Sequence, residues 1–164
     1  MTGRNVGVNM AYDAFIGVDP GKNGAIAVLE NQYTDIDAWI NAEIFKTDRP
    51  LWLGGNFVAA VSTGFALIEK VHAMPNQGVT SMFNFGRNFG QLEMLIDWQC
   101  ENYDYVTPQT WQKHFKLLKE KGETKTQKKN RHKALAQKLF PDIKVTHTNA
   151  DALLIAWYCR EIHG

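Results

Sequence analysis

An apolar run that ends on a carboxylate and breaks at Pro-Gly, FIGVDPGKNG over residues 15–24, sets the tightest limit on how this chain can fold. Phe15, Ile16 and Val18 favour a β-strand, Pro20 and Gly21 stop it, and Gly24 precedes a second apolar run from Ala25 to Leu29. The pattern predicts a hairpin with Asp19 near its bend. An Asp before Pro-Gly also initiates turns, so this segment alone leaves Asp19 open between a turn residue and a functional acid.

Beyond the hairpin, the pattern predicts a third strand near Ala42 to Phe45, extending an antiparallel meander, then a Trp- and Gly-rich loop from Pro50 to Asn56 and a short helix around Phe57 to Ser62. Ala66 to Val71 reads as the next strand. It carries Glu69 among Leu67, Ile68 and Val71, a charge where the pattern favours packing, and such conflicts concentrate at functional sites. A long helix is predicted from Val79 to Asn102, with Met82, Phe83, Phe89, Leu92, Leu95 and Ile96 as its apolar stripe. Gly86 and Gly90 lie on one face of it and cost about 1 kcal/mol each, which a close packing partner would offset: the sheet beneath or a second protomer.

Tyr103 to Thr107 reads as a strand, and Pro108 starts a helix through Phe115. A polar loop, Lys119 to Thr126, leads into a basic helix from Gln127 to Leu139, stopped by Pro141. Ile143 to Thr146 reads as a short extended segment, and a final helix runs from Thr148 or Asn149 to His163. Alternating strands and helices make the class α/β, with a mixed sheet flanked by helices. Residues 1–13 read as an N-terminal extension and 14–164 as a single domain. With 164 residues and 45% hydrophobic content the chain can bury a core, no run approaches the roughly 18 apolar residues of a membrane span, and no signal-peptide pattern opens it. A cytoplasmic protein with no membrane partner is expected. Cys100 and Cys159 have no metal-ligand or disulfide-framework spacing and read as buried small apolar residues.

Charge is distributed unevenly. Residues 111–140 hold ten Lys or Arg against two Glu, a block of +8 in a chain whose net charge is +1. That density suits either a solvated helix face or a phosphate-binding surface. Asp151 opens the final helix in HTNADALLIAWY, where the helix dipole favours an acid in any case. His147 and Asp151 are four apart and project to one side if the helix begins early enough; a lone His there is otherwise a capping or surface residue. Asp19, Glu69 and Asp151 are each ambiguous, yet together they suit a hard divalent cation such as Mg²⁺, which takes oxygen ligands and keeps waters and substrate phosphate in its shell. Two such ions suit phosphodiester hydrolysis, with the basic block holding the polyanion.

The segments GVDPGKNGAIAV, ALIEKVHAMPNQGVTSMFNFGRNFG, VTPQTWQKHF, ALAQKLFP and NADALLIAWY occur in the order found in a known family. Over Phe15 to Tyr158 the chain resembles the RuvC-type Holliday junction resolvases of the RNase H-like superfamily, most closely their phage-encoded versions. The resemblance implies a five-stranded mixed sheet flanked by helices, a homodimer, and Mg²⁺-dependent nicking of two symmetric strands at a four-way DNA junction, with Mn²⁺ as a substitute and no organic cofactor. It implies that Asp19, Glu69 and Asp151 are catalytic metal ligands. The family's fourth ligand falls three residues before the last acid, here Thr148, and His147 beside it is expected to fill the position as ligand or proton donor. Where family members place an aromatic wedge, three residues after the second acid, this chain has His72. His72, Met74 and Phe85 are expected to meet splayed bases, and Lys70, Ser81 and Arg87 to border the DNA channel. Lys113, Lys116, Lys125, Lys128, Lys129 and Arg131 are expected to grip flanking phosphates, and the helix bearing Gly86 and Gly90 to form the dimer face, because a two-fold enzyme matches two symmetric cleavage points. The alternatives are a non-catalytic junction-binding protein and a fragment of an actin-like phosphotransferase, whose fold needs two such domains.

Overall fold

The computed structural model describes residues 12–21, 23–30, 63–72, 78–100 and 102–164, and the backbone alone of 42–46. The first two apolar runs form the expected hairpin. β1 (Ala14–Val18) pairs antiparallel with β2 (Ala25–Glu30), Ala14 opposite Glu30 and Val18 opposite Ile26. The Asp19 N–H donates to the Ala25 carbonyl at 2.9 Å and the Gly24 N–H to the Gly21 carbonyl at 2.8 Å, closing the bend. A Cβ on residue 24 would stand 2.0 Å from the Asp19 carbonyl oxygen, so this bend closes only around glycine.

β3 (Ala42–Lys46) adds antiparallel to β2, while β4 (Gly64–Glu69) and β5 (Asn102–Val106) run parallel to β1 on its other side. The order is β3-β2-β1-β4-β5, a mixed sheet. Alternation along β1 sorts the two cores. Ala14, Ile16 and Val18 face α1 (Val79–Gln99), packing with Leu92, Leu95 and Ile96, whereas Phe15 faces α4 (Ala150–His163) and its Leu153, Leu154 and Ile155. α2 (Pro108–His114) and α3 (Lys125–Leu139) complete the α4 side, contributing Trp111 and Ala136 to that core. Cys100 and Cys159 are buried, as expected, and among the described residues no helix is long and apolar enough to cross a membrane.

Several boundaries differ from expectation for local reasons. β4 ends on Glu69 rather than Val71, so the acid closes the strand. α3 starts at Lys125, because Thr124 and Gln127 form a reciprocal capping box. Ile143 to Thr146 forms no strand. The Gln137 side chain satisfies that backbone instead, donating to the Ile143 carbonyl at 2.9 Å and accepting from the Val145 N–H at 3.2 Å. α4 starts at Ala150. Tyr12, placed in the extension from sequence, packs edge-on against Phe65 with ring centroids 5.2 Å apart. The rest of the extension through residue 11, the loop at 50–56 and the helix at 57–62 lie outside the described residues.

A direct backbone contact joins β1 to α4. A Cβ on Gly17 would stand 2.2 Å from the Ala152 carbonyl oxygen and 2.3 Å from the Ala156 amide nitrogen, both backbone atoms that cannot yield locally. Gly17→Ala must therefore push α4 off the sheet. The expected loss is about 1–3 kcal/mol or more of stability, read as a lowered urea midpoint; an unchanged midpoint would contradict this packing.

Candidate active site

β1 and β4 are adjacent and parallel, with Val18 opposite Ile68, so the next residue of each, Asp19 and Glu69, emerges at the same end of the sheet. α4 lies across β1 at Gly17, and Asp151, in its first turn, is carried to the same end. The three acids sense one another. Burial pushes Glu69 up to about 8, the charges of Asp19 and Asp151 push the same way, and the Trp111 hydrogen bond and Lys128 oppose them. Burial also raises Asp19 to about 6, opposed by the hydrogen bond from Gly21, with Asp151 raising it further and Lys129 lowering it. The acids expected from sequence thus form one electrostatically coupled set.

Each acid is held by one oxygen. The Gly21 N–H donates to Asp19 Oδ1 at 3.0 Å, Trp111 Nε1–H donates to Glu69 Oε1 at 2.9 Å, and His132 Nδ1 lies 2.7 Å from Asp151 Oδ1. Asn88 of α1 donates to the Pro20 carbonyl at 3.1 Å and so braces the Asp19 turn. Lys128 Nζ donates to Gln112 Oε1 at 2.7 Å, tying α3 to α2. Trp111, His132, Gln112 and Asn88 are the participants that sequence reasoning missed. The signal available for one of them, His132, was spacing: Lys128, His132 and Ala136 recur every fourth residue, a stripe that turns inward although its first two members are polar.

The structure places His147 away from Asp151. His147 lies in the exposed turn before α4, its Nε2 2.8 Å from Asn130 Oδ1, and the histidine at Asp151 is His132 of α3. The physical reason is the helix start. With α4 beginning at Ala150, residue 147 is outside the helix and the four-residue spacing to Asp151 no longer sets both on one face. Thr148, at the family's ligand position, is half-buried in the same turn, its N–H donating to Thr146 Oγ1.

Of the expected DNA contacts, Lys128 and Lys129 lie near enough for their charges to act on Glu69 and Asp19 respectively. Lys113, Lys116 and Lys125 are exposed around the ends of α2 and α3. Arg131 is engaged otherwise: it pairs with Glu120 and with Glu123, the latter at 3.1 Å, and donates to the Leu118 carbonyl at 3.0 Å, so it braces the α2–α3 loop. Lys70 and His72 follow β4 and are exposed, with Lys70 Nζ 5.5 Å from the Tyr105 ring centroid. Ser81 and Arg87 are exposed on α1, whereas Phe85 is half-buried beside Phe89. Met74 lies outside the described residues. Gly86 and Gly90 do not pack on the sheet: a Cβ on either would meet nothing within 4 Å.

Among the described residues no group of three or more His, Cys, Asp or Glu side chains forms a ready ligand cage. The donor chemistry nevertheless fits a hard divalent cation. Three carboxylates each have one oxygen held and the other without a hydrogen-bond partner among the described residues, and burial disfavours the charge of Asp19 and Glu69. Mg²⁺ needs only one or two protein carboxylates, completing its shell with water and phosphate oxygens.

A mixed sheet with antiparallel β2 and β3, parallel β4 and β5, and helices on both faces is the arrangement of RNase H-like folds. The structure is similar to that of RuvC from Thermus thermophilus, with a TM-score of 0.51 and 16% sequence identity, over 92% of this chain and 97% of that one. The chain therefore has a RuvC-like fold. No protein-family model and no curated protein matches its sequence.

The raised Glu69 value makes a stability prediction. A carboxyl that titrates near 8 when folded, against 4.5 ordinarily, holds its proton more tightly in the folded state, so metal-free protein loses stability as pH rises through that window. Glu69→Gln removes that loss, on the order of a few kcal/mol, while still accepting from Trp111. In EDTA at pH 8–9 its thermal midpoint should exceed the wild-type value by several degrees, and the two should converge near pH 5. Parallel curves for the two proteins would refute the burial of that charge.

Proposed function

We propose that this protein is a divalent-metal-dependent endonuclease that resolves four-way and other branched DNA junctions, leaving 5′-phosphate and 3′-hydroxyl ends, as a member of the phage-encoded RuvC-like branch acting in the cytoplasm of a host cell. The observation that carries this reading is the convergence of Asp19, Glu69 and Asp151 from two strand ends and a helix start, with the charges of Lys128 and Lys129 acting on Glu69 and Asp19. The ordered family-like segments and the RuvC-like fold support it. Neither a turn residue nor a helix cap explains why Asp19 and Glu69 sit where burial opposes their charge, with the Asp151 charge acting on both.

Asp19, Glu69 and Asp151 would hold Mg²⁺, two ions per site, or Mn²⁺ in its place; bound there, the metal supplies Lewis-acid activation of water and charge neutralisation at the leaving oxygen. The chain's own groups do the rest. Lys128 and Lys129 meet the phosphate at the acids, offsetting the repulsion between carboxylates and a polyanion. Lys113, Lys116 and Lys125 hold flanking phosphates, and Trp111 excludes water from the inner side of Glu69. Lys70, His72, Ser81 and Arg87 border the path of the opened strands. His147, tied to Asn130, stands apart from the chemistry, so His147→Ala should cleave within about twofold of wild type; a loss comparable to that of Asp19→Asn would restore it as a ligand.

The deciding assay incubates a mobile four-way junction with wild type and Asp19→Asn, with and without Mg²⁺. Wild type should nick symmetrically only with the metal, and Asp19→Asn should bind about as tightly while cleavage falls at least 10³-fold. Tight binding with no cleavage in Mg²⁺ or Mn²⁺ would instead establish a non-catalytic junction-binding protein, and ATP turnover an actin-like activity. Affinity should fall steeply with salt, and Lys129→Ala should reduce the log–log slope by about 1.

A homodimer through α1 completes the proposal. Opposite its buried face, Val79, Phe83, Met94 and Trp98 are 86%, 70%, 64% and 81% exposed, flanking Gly86 and Gly90 in one stripe. An apolar stripe with glycines at its centre permits close helix approach across a two-fold axis. Phe83→Asp should shift the protein to monomer by sedimentation without lowering its helix content; a wild type already monomeric at tens of micromolar would defeat this assignment.

A further inference from the structure

We infer that Trp111 and His132 act together as one positioning bracket that aims the Glu69 and Asp151 carboxylates at their shared ligand. The inference rests on the reading of those acids as a divalent-cation site. Glu69 and Asp151 arrive on different elements, β4 and α4, and neither element fixes the rotation of its acid. Both are met from the same side by a nitrogen on a buried ring. Trp111 Nε1 lies 2.9 Å from Glu69 Oε1, and His132 Nδ1 lies 2.7 Å from Asp151 Oδ1. The rings touch edge to face, centroids 5.4 Å apart and planes at 73°, so a shift in one displaces the other.

Local structure explains why these two rings arrive there. Glu69 is paired with Val106, Thr107 then caps α2, and Trp111 follows one turn later, which returns its indole over the strand end that carries Glu69. Gln112, next to Trp111, accepts from Lys128, one turn before His132, so α2 and α3 are pinned beside the ring contact. His132 Nε2 lies 3.4 Å from the Leu117 carbonyl, anchoring the far side of the imidazole to the α2–α3 loop. Trp111 is 0% and His132 4% exposed, so neither reaches DNA. Each engages one carboxylate oxygen and leaves the other to face a ligand. That is the geometry by which surrounding groups orient metal-binding carboxylates, and losing such a partner typically weakens metal binding about 10–100-fold.

The test uses the full chain and Mn²⁺ as probe. Calorimetric Mn²⁺ affinity, junction affinity in EDTA and the cleavage rate would be measured for wild type, Asp19→Asn, Trp111→Phe, His132→Leu and His132→Asn. Trp111→Phe keeps an aromatic body and deletes the N–H; His132→Asn keeps an N–H near the Nδ1 position. Trp111→Phe and His132→Leu should each weaken Mn²⁺ binding about 10-fold or more, with junction affinity in EDTA within about twofold of wild type. His132→Asn should recover most of the loss, and the Trp111→Phe/His132→Leu pair should lose less than the product of the single losses. If His132→Leu does not fold, Trp111→Phe and His132→Asn decide alone. Wild-type Mn²⁺ affinity in Trp111→Phe overturns the bracket while the nuclease reading stands. A wild type whose Mn²⁺ binding is absent, or unaffected by Asp19→Asn, overturns the nuclease reading and the bracket with it.

Discussion

The arrangement of this molecule depends on the contact between β1 and α4 at Gly17, where helix backbone lies directly on strand backbone. Only a residue without Cβ tolerates the approach, and the opposing helix positions are Ala152 and Ala156, the smallest side chains that keep helix propensity. The consequence reaches past packing. Asp151 precedes Ala152, and Asp19 lies two residues beyond Gly17, so the distance that sets the core also sets the separation of two acids. A larger residue at 17 would disturb both together.

The three carboxylates illustrate a tension between folding and chemistry. Glu69 closes a strand whose other residues are almost all buried, and the fold opposes its charge strongly enough to raise it to about 8. For stability alone an apolar residue would serve better there. The surroundings offset part of the penalty with placed donors, from the Gly21 backbone to Asp19 and the Trp111 indole to Glu69, and with two lysine charges nearby. A site so arranged favours any further positive charge, which is the electrostatic reason to read it as one that accepts a cation and then a phosphate.

What the sequence made legible follows from the range over which each signal acts. The hairpin, β4, β5 and α4 rest on local runs of apolar residues punctuated by Pro and Gly, and the structure forms them within a few residues of expectation. The acids were legible because each breaks such a pattern or ends it. His132 was not, since its role depends on α3 crossing α4, a contact nineteen positions away in sequence that no periodicity reports. The spacing argument for His147 loses its footing for a related reason. Its spacing to Asp151 carries meaning only inside a helix, and the Thr146 N–H donating to the Asn149 side chain at 2.7 Å holds a turn in which the helix starts later. The Gly86 and Gly90 pair suggested a close neighbour, but sequence could not say whether that neighbour was the sheet; among the described residues nothing lies within 4 Å of a Cβ on either, so it is not.

α3 shows how one helix serves core and site at once. Its inward stripe runs Lys128, His132, Ala136 and Leu139: apolar at the end near Phe140 and the α4 core, polar at the end near the acids. Lys125 and Lys133 stay exposed away from the acids, Lys129 is exposed with its charge acting on Asp19, and Arg131 turns back to Glu120 and Glu123. The +8 block is therefore three populations rather than one surface: a pair at the acids, a brace for the α2–α3 loop, and solvent-facing lysines on the rim. Neutralising a rim lysine removes attraction that acts at long range and is screened by salt, whereas neutralising Lys128 also frees Gln112 and loosens α2 from α3 beside Trp111. Charge count alone would rank these substitutions as equal; position in the fold makes the first a change in surface potential and the second a change in how α2 and α3 pack beside the acids.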